Sequence, residues 1–382
     1  MGIKFSKEDT LAIKGVAILF LLQYHNFYPL DKFEKYKVSF YPFTMESVVP
    51  FTKFLKICVA MFAFLSAYGL TLSLKKYSSD NCLNGRQYSN YLKNRLPKLM
   101  WGYWFVVLFS VLLCAVIKPG RLFLYFEEDG IRGTVIGVFY FIADFLGLAS
   151  LMNTPTLCGT WWYMSLAIFV VMIVPFIARV SKRYGFLCVT LMCVFIPRVI
   201  INPDKFSVGQ DNNLIRWLFT AVLGVAFAQN DLLARMKGAK VVKNKIGNKV
   251  IKFVLATFIL VISYLAYIYL NDKASNFTYE IRDGLIPVFV IYYFYEFIID
   301  IPVIRNVLVF IGKHSMNIFL FSSFIRGIFF ADFTYSFVNW LRIDLVLLVT
   351  SLIASIVIEL IKKYSGYNKL LDVVMVKINT GN

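Results

Sequence analysis

The chain has 382 residues, of which 59% are hydrophobic, 18% are aromatic and only 16% are charged. A water-soluble domain has nearer a quarter charged residues and would have no interior for 38 Phe and 23 Tyr, so composition excludes a soluble globular protein. The net charge of +18 would suggest nucleic acid in a soluble protein. Here the basic residues lie in short loops between apolar runs, which indicates membrane topology and no nucleic-acid partner.

Eleven apolar runs follow one another along the chain, most of them near the 20 residues that a bilayer core requires. They predict an all-α polytopic membrane protein. The first run follows Lys4 and Lys7, but no cleavage site of small residues comes after it, so we expect a retained helix. The runs are 11–29, 53–74, 99–117, 134–152, 161–178, 185–201, 213–230, 250–270, 284–300, 307–330 and 341–361.

Charge placement predicts which of these runs cross the membrane. The segments 75–98, 179–183 and 231–249 are rich in Lys and Arg and should be cytoplasmic. They fall on one side only if run 134–152, which contains Asp144, does not cross. We therefore expect a re-entrant or outer-surface element there, about ten transmembrane helices and both termini in the cytoplasm. No internal repeat is evident, which favours a single domain over residues 1–382.

Ionisable groups inside apolar runs are functional candidates by default. Lys14 and His25 are eleven residues apart in the first run, so they share one helix face about 16 Å apart along the axis. Histidine is the usual side chain for taking a proton from a hydroxyl near neutral pH. The alternatives are a Lys14 that reaches the headgroups and a His25 whose hydrogen bonds are satisfied within the helix bundle.

Other catalytic and metal-binding patterns are missing from the sequence. It contains no GxSxG, HExxH, Walker or GxGxxG segment. The cysteines lack metal-ligand spacing, and with two histidines in the whole chain we expect no metal site. The six cysteines, which we interpret as small hydrophobic residues, are Cys58, Cys82, Cys114, Cys158, Cys188 and Cys193.

Five segments together resemble the acyltransferase 3 family of membrane acyltransferases, over residues 8 to 360 approximately. The pair Lys14 and His25 is similar to that family's basic-residue-x10-His signature. Four further segments follow in the family's order: FLSAYG at 64–69, RLPKLMWGYW at 95–104, TWWYM at 160–164 and IGKHSMNIFL at 311–320. They resemble the FxLSGYG, RxxRxxPxYW, W-F/Y-L and GKxSxxIYLxH motifs.

The chain departs from these motifs at four positions. Ala67 stands where the family commonly has Gly, and Lys98 where it often has a second Arg. Trp101 stands in place of Pro, and Ser322 in place of the late His. The last change leaves His25 as the histidine that the resemblance supports.

The resemblance implies transfer of an acyl group, expected to be acetyl, from cytoplasmic acyl-coenzyme A to a carbohydrate hydroxyl. The implied acceptor is a surface polysaccharide or its lipid-linked glycan precursor, and the implied location is a bacterial cytoplasmic membrane. Acyl-coenzyme A is a substrate, and no permanently bound cofactor is expected. His25 would be the catalytic residue. Four cations near the cytoplasmic face could bind the coenzyme phosphates: Lys14, Arg95, Lys98 and Lys313. For Arg95 and Lys98, the alternative is that they are ordinary topological signals.

The same motifs supply residues that could line the site: Ser66, Tyr68, Trp161, Trp162, His314 and Ser315. For His314, a bond to a neighbouring helix is the favoured alternative, and at least one of the two tryptophans is expected to be an interface anchor. Three charged residues on or after run 284–300 are expected to form interhelical salt bridges: Glu296, Asp300 and Arg305. Three arginines near outer helix ends could hold an anionic acceptor or reach the headgroups: Arg198, Arg216 and Arg326.

Two other functions stay open at this point. A carrier or flippase for a lipid-linked sugar would predict inverted repeats and broken helices in matching halves. A polysaccharide polymerase or ligase would need a large outer loop, whereas the longest outer segment, 118–160, is modest. The sequence carries no signal for an oligomeric state.

Overall fold

A computed structural model of the chain describes residues 4–28, 31–78, 82–126, 130–200, 214–271 and 280–380, without the side chains of 31, 32, 34, 196–200, 271, 379 and 380. These residues form helices and no β-strand, with one isolated bridge between Ser39 and Asn339, which confirms the all-α prediction. The helices are α1 (Lys7–Phe27), α2 (Asp31–Tyr36), α3 (Met45–Phe54), α4 (Cys58–Leu74), α5 (Gly85–Ile117), α6 (Gly130–Phe145), α7 (Ala149–Met152), α8 (Trp162–Tyr184), α9 (Phe186–Ile200), α10 (Leu218–Gln229), α11 (Leu232–Gly238), α12 (Lys245–Asn271), α13 (Ile286–Tyr293), α14 (Pro302–Lys313), α15 (Ser315–Ser323), α16 (Ala331–Tyr335), α17 (Trp340–Tyr364) and α18 (Tyr367–Thr380).

Within the described ranges, five helical stretches are long and apolar enough to cross a membrane: Met45–Leu74, Gly85–Ile117, Gly159–Tyr184, Lys245–Leu270 and Trp340–Tyr364. Two pairs of helices, each bent by 62°, bring the number to seven if each pair is one span: Leu214–Gln229 with Leu232–Gly238, and Pro302–Lys313 with Ser315–Phe329. The chain is thus a helical protein with several membrane spans. Five to seven spans of this kind are fewer than the ten that charge placement predicts.

The difference has a physical reason in helices that carry polar side chains. Helix α1 is 21 residues long, but Lys14, Gln23 and His25 lower its mean hydropathy, and it is not among the five stretches. Run 284–300 is likewise helical, but π-helical turns flank α13, and the helical segment 280–298 carries four charged residues: Glu280, Arg282, Asp283 and Glu296. Run 185–201 corresponds to α9 (Phe186–Ile200), which has only 15 residues.

Run 134–152 is divided between α6 and α7. At 1.5 Å per residue, the 16 residues of α6 extend about 24 Å, which is shorter than a hydrocarbon core of about 30 Å. The run predicted to lie outside the set of spanning helices therefore forms two short helices in the structure.

The described chain forms two compact units. The first comprises Met1–Tyr28, Met45–Leu83 and Ile173–Lys313. In its core, α10 packs on α4 so closely that a Cβ at Gly224 would meet the Phe64 carbonyl and the Ala67 side chain. The small residue at 67, where the resembled motif has glycine, thus faces a glycine on the neighbouring helix.

The second unit comprises Pro29–Thr44, Asn84–Met172 and His314–Asn382. An Asn84–Gln87 capping box starts α5. The hydroxyl of Tyr91 then donates to the Val171 carbonyl at 3.1 Å, which fastens α5 to α8. At the C-terminal end, α18 is tied to α5 because the hydroxyl of Tyr367 donates to the Trp101 carbonyl at 2.9 Å.

Candidate functional site

Helix α1 carries the two residues that the sequence singles out. It begins with a capping box in which Ser6 and Asp9 each accept a hydrogen bond from the other's backbone N–H. It then continues without a break to Phe27. Eleven residues of α-helix end within about 20° of three full turns, so Lys14 and His25 project from one face. Both side chains are half-buried.

Two glycines bring α1 and α14 together in the first unit. A Cβ at Gly15 would collide with the Leu308 carbonyl, and one at Gly312 would collide with the Leu11 carbonyl. Arg305 adds an ion pair to Asp9 at 2.9 Å. Because Lys14 precedes Gly15 and Lys313 follows Gly312 in the chain, the two predicted coenzyme-binding lysines flank one helix contact.

Several charged residues in the helices of the first unit form ion pairs. Arg216 contacts the Asp283 carboxylate at 2.7 Å, and both side chains are about 1% exposed. The prediction that Arg216 holds an acceptor or reaches the headgroups is therefore wrong, because its guanidinium is already committed to a buried carboxylate. The side chain of Arg198 lies outside the described residues, and Arg326 bonds the nearby Ser323 hydroxyl at 3.5 Å.

The three residues predicted to form salt bridges do so. Glu296 binds Lys252 at 2.6 Å, Asp300 binds Lys237 at 2.7 Å, and Arg305 binds Asp9. A fourth pair in the second unit joins Lys362 and Glu359 at 2.8 Å.

Lys14 and Arg95 differ from these cations. Both are half-buried, yet in the described part of the chain neither has a carboxylate within ion-pair distance. The Nε of Arg95 is buried and has no hydrogen-bond acceptor there. A cation that is partly removed from water and has no anion beside it is stabilised when an anion binds, so both side chains are candidates for binding an anionic substrate. Lys98 and Lys313 are exposed and show no such signal.

The motif around Arg95 supplies helix contacts in the second unit. The indole of Trp101 donates to the Tyr367 carbonyl at 3.1 Å, and that of Trp104 donates to the Phe145 carbonyl at 2.9 Å. The hydroxyl of Tyr103 donates to the Asp144 carbonyl at 2.6 Å. Trp101, which stands where the resembled motif has proline, therefore holds the C-terminal helix.

Trp161 belongs to the core of the second unit and is no interface anchor. It is 2% exposed, its indole donates to the Leu320 carbonyl at 2.9 Å, and Tyr103 packs against it edge-on. Trp162 is half-buried, and its ring lies edge-on to that of Tyr163. Of the two tryptophans, only Trp162 can still be the predicted interface anchor.

Of the other predicted lining residues, Tyr68 is buried in the first unit, with its ring edge-on to Phe5 and stacked on Phe64. Ser66 on the same helix is half-buried. In the second unit, Ser315 is buried at the start of α15.

His314 takes part in a polar network between α15 and α17. Its Nδ1 lies 2.8 Å from the Ser355 hydroxyl. Asn317 donates to that hydroxyl at 3.1 Å and to the Glu359 carboxylate at 2.8 Å, and Lys362 donates to the same carboxylate. His314 thus bonds a neighbouring helix.

Sequence reasoning missed a second polar cluster, centred on Asp144. The carboxylate accepts hydrogen bonds from the Tyr125 hydroxyl at 2.6 Å, the Thr156 hydroxyl at 2.9 Å and the Leu157 N–H at 2.8 Å. Burial, with Asp144 beside it, raises the pKa of Tyr125, so this hydroxyl stays a donor at neutral pH. The cluster holds the segment before Trp161 against α6. Its one sequence signal is a carboxylate in an otherwise apolar run.

The described residues contain no group of His, Cys, Asp or Glu that could hold a metal ion. They form a helical membrane protein in which His25 and Lys14 lie on one face of α1 and the half-buried Arg95 lies on α5. The family model described as an acyltransferase domain matches residues 12–360. The chain therefore belongs to the acyltransferase 3 family of membrane acyltransferases. Comparison with the curated proteins and with the solved structures finds no match.

Proposed function

We propose that this membrane acyltransferase takes an acetyl group from cytoplasmic acyl-coenzyme A and transfers it to a hydroxyl of a carbohydrate. The acceptor is a surface polysaccharide or its lipid-linked glycan precursor. The protein works in a bacterial cytoplasmic membrane with both termini in the cytoplasm. The acetyl group, the acceptor and the location follow from the resemblance of the five motifs.

The donor assignment is supported by one observation above the others. Lys14 and Arg95 are half-buried cations without a carboxylate among the described residues, and the Arg95 Nε is buried without an acceptor. Coenzyme A carries several phosphate charges, and a guanidinium offers forked donors to phosphate oxygens while an ammonium offers a point charge. An anionic substrate would supply the partner that each cation lacks.

His25 is the general base of the proposed transfer step. The acceptor hydroxyl oxygen attacks the thioester carbonyl carbon while the His25 imidazole takes the hydroxyl proton. The carbon–sulfur bond then breaks, and the leaving thiolate recovers that proton from the imidazolium. The products are an ester and free coenzyme A. A long pantetheine arm along the face shared by Lys14 and His25 would join the phosphate end to the reacting carbonyl.

The test is steady-state kinetics of Arg95→Gln and Lys14→Gln in reconstituted vesicles. Each change removes one charged contact to phosphate, for which about 1.5–3 kcal/mol is typical. We expect KM for acetyl-coenzyme A to rise about tenfold or more, with kcat less affected. Added salt should raise the wild-type KM in the same direction.

Matched controls lie on the same two helices. Lys93→Gln on α5 and Lys7→Gln on α1 remove exposed charges and should leave KM within twofold of wild type. If Arg95→Gln and Lys14→Gln behave like these controls, both residues are topological signals and the donor site lies elsewhere.

A further inference from the structure

An apolar groove of about 450 Å³ runs along the second unit between the C-terminal half of α5, the segment 321–333 and α17. Among the described residues, no charged side chain lines it. Its one polar residue, Thr350, donates its hydroxyl to its own helix, at the Val346 carbonyl. The lining consists of Phe109, Leu113, Ile117, Phe321, Ile325, Phe329, Phe330, Phe333, Thr350, Ile353, Ala354 and Val357.

The groove has the dimensions of a binding site for a hydrocarbon chain. On α5 it extends from Phe109 to Ile117, which is about 12 Å at the rise of an α-helix. Its volume is within the range of small-molecule sites, about 300–1,000 Å³. Ile353 and Phe333 on its open side are 56% and 51% exposed. A carbohydrate would find no hydrogen-bonding partner in such a lining.

A cation, Lys118, lies at one end of this groove. Lys118 follows the lining residue Ile117 and is exposed, and its Nζ lies 3.4 Å from the Ile328 carbonyl. Ile328 in turn lies between the lining residues Ile325 and Phe329. Among the described residues no carboxylate pairs with Lys118. The groove therefore offers an apolar channel with a positive charge at its end, which complements a lipid with a phosphate at the end of one hydrocarbon chain.

We infer that this groove binds the chain of a polyprenyl-phosphate lipid, with Lys118 against the phosphate. The inference rests on the proposed function, in which that lipid carries the glycan acceptor. A groove of this size with a cation at its end suits a lipid with a single chain, whereas a diacyl phospholipid would leave its second chain outside.

The first experiment uses a polyprenyl phosphate with a diazirine in its chain, added to the purified full chain in vesicles of phosphatidylglycerol and phosphatidylethanolamine. After photolysis, we expect labelled peptides from 109–117 and 321–333. Unlabelled polyprenyl phosphate should compete, and additional phosphatidylglycerol should not. Equal competition by both lipids, or labelling spread evenly over lipid-facing helices, would show an ordinary annular lipid and overturn the inference.

Two variants sharpen this test. Ala354→Trp fills the groove and should reduce the labelling at least tenfold, whereas Leu345→Trp on the same helix, at a position 61% exposed and outside the groove, should not. Lys118→Gln changes an exposed side chain, so folding is not at risk. It should weaken competition by unlabelled polyprenyl phosphate about tenfold. If Lys118→Gln leaves the competition unchanged and Ala354→Trp is labelled as strongly as Leu345→Trp, the groove is not the lipid site.

Labelling needs no acyl transfer, so the two proposals fail separately. Groove labelling without any transferase activity would contradict the proposed function and leave the lipid site intact. Transfer to a lipid-linked acceptor that Ala354→Trp and Lys118→Gln leave unchanged would contradict the lipid site and leave the proposed function intact.

Discussion

At the scale of single residues, the structure divides the cations of the apolar helices into two groups. Arg216, Lys252 and Arg305 each bind a carboxylate, whereas Lys14 and Arg95 bind none among the described residues. The sequence singled out four of these residues, all but Lys252, but could not divide them into paired and unpaired cations, because pairing is a tertiary property. The partner of Arg216, for example, is 67 residues away in the chain.

His25 is the residue on which the proposed chemistry depends most. A positioned general base contributes about 10²–10⁴-fold to a rate, so His25→Ala should lose at least about 100-fold in acyl transfer while the protein still inserts and purifies as a folded species. The measurement is the transfer of labelled acetyl groups from acetyl-coenzyme A to the acceptor. His314→Ala is the matched control and should lose much less, because His314 bonds Ser355 on a neighbouring helix.

Near-normal transfer in His25→Ala would make the proposed mechanism wrong and favour the transporter alternative. If His25→Ala does not accumulate, His25→Gln preserves size and hydrogen bonding and answers the same question. Trapping with labelled donor distinguishes direct transfer from an acyl-His25 intermediate, since only the latter leaves the label on the α1 peptide.

At the scale of helices, the contact of α1 with α14 depends on the absence of a side chain at Gly15 and Gly312. The sequence singled out Gly312 as part of a motif but could not give it this role, because the obstacle is the Leu11 carbonyl of a distant segment. The same holds for the RLPKLMWGYW segment. Its aromatic residues bond to the backbone of other helices, so part of a motif that resembles a functional signature is a packing signature.

Gly312→Ala tests this contact. The added methyl group would collide with a backbone carbonyl, and overpacking of this kind costs about 1–3 kcal/mol. We expect a lower apparent Tm in detergent. Gly69→Ala is the matched control, since nothing lies within 4 Å of a Cβ at that helical position, and alanine there should be neutral or stabilise by up to about 1 kcal/mol. A Gly312→Ala protein as stable as Gly69→Ala would contradict the close approach.

At the scale of the molecule, periodic apolar runs predicted the helical class and placed nearly every long helix. They could not predict the breaks within those helices, such as the 62° bend between Gln229 and Leu232, because a broken and a continuous span have the same composition. Nor could they predict the Asp144 cluster, since Asp144 meets its partners Tyr125 and Thr156 only after folding.

The topology prediction applies to the whole chain. Both termini and the segments 75–98, 179–183 and 231–249 should face the cytoplasm. On a background with the six free cysteines replaced by alanine, a cysteine at Lys240 should react with a membrane-impermeant maleimide only after the cells are opened. A cysteine at Asn153 should react in intact cells. Reaction of the Lys240 position from outside would overturn the charge argument.

The polar character of α1 has a consequence for how the protein is made. Charged and polar side chains make a membrane helix less favourable to insert, and α1 carries Lys14 as well as Gln23 and His25. Its ion-pair partner on α14, Arg305, lies 297 residues beyond Glu8. At about 5–20 residues per second, the ribosome needs roughly 15–60 s to synthesise that stretch. During this interval Glu8 and Asp9 on the first helix lack their ion-pair partner, so the contact of α1 with α14 can form only after residue 305 has been made.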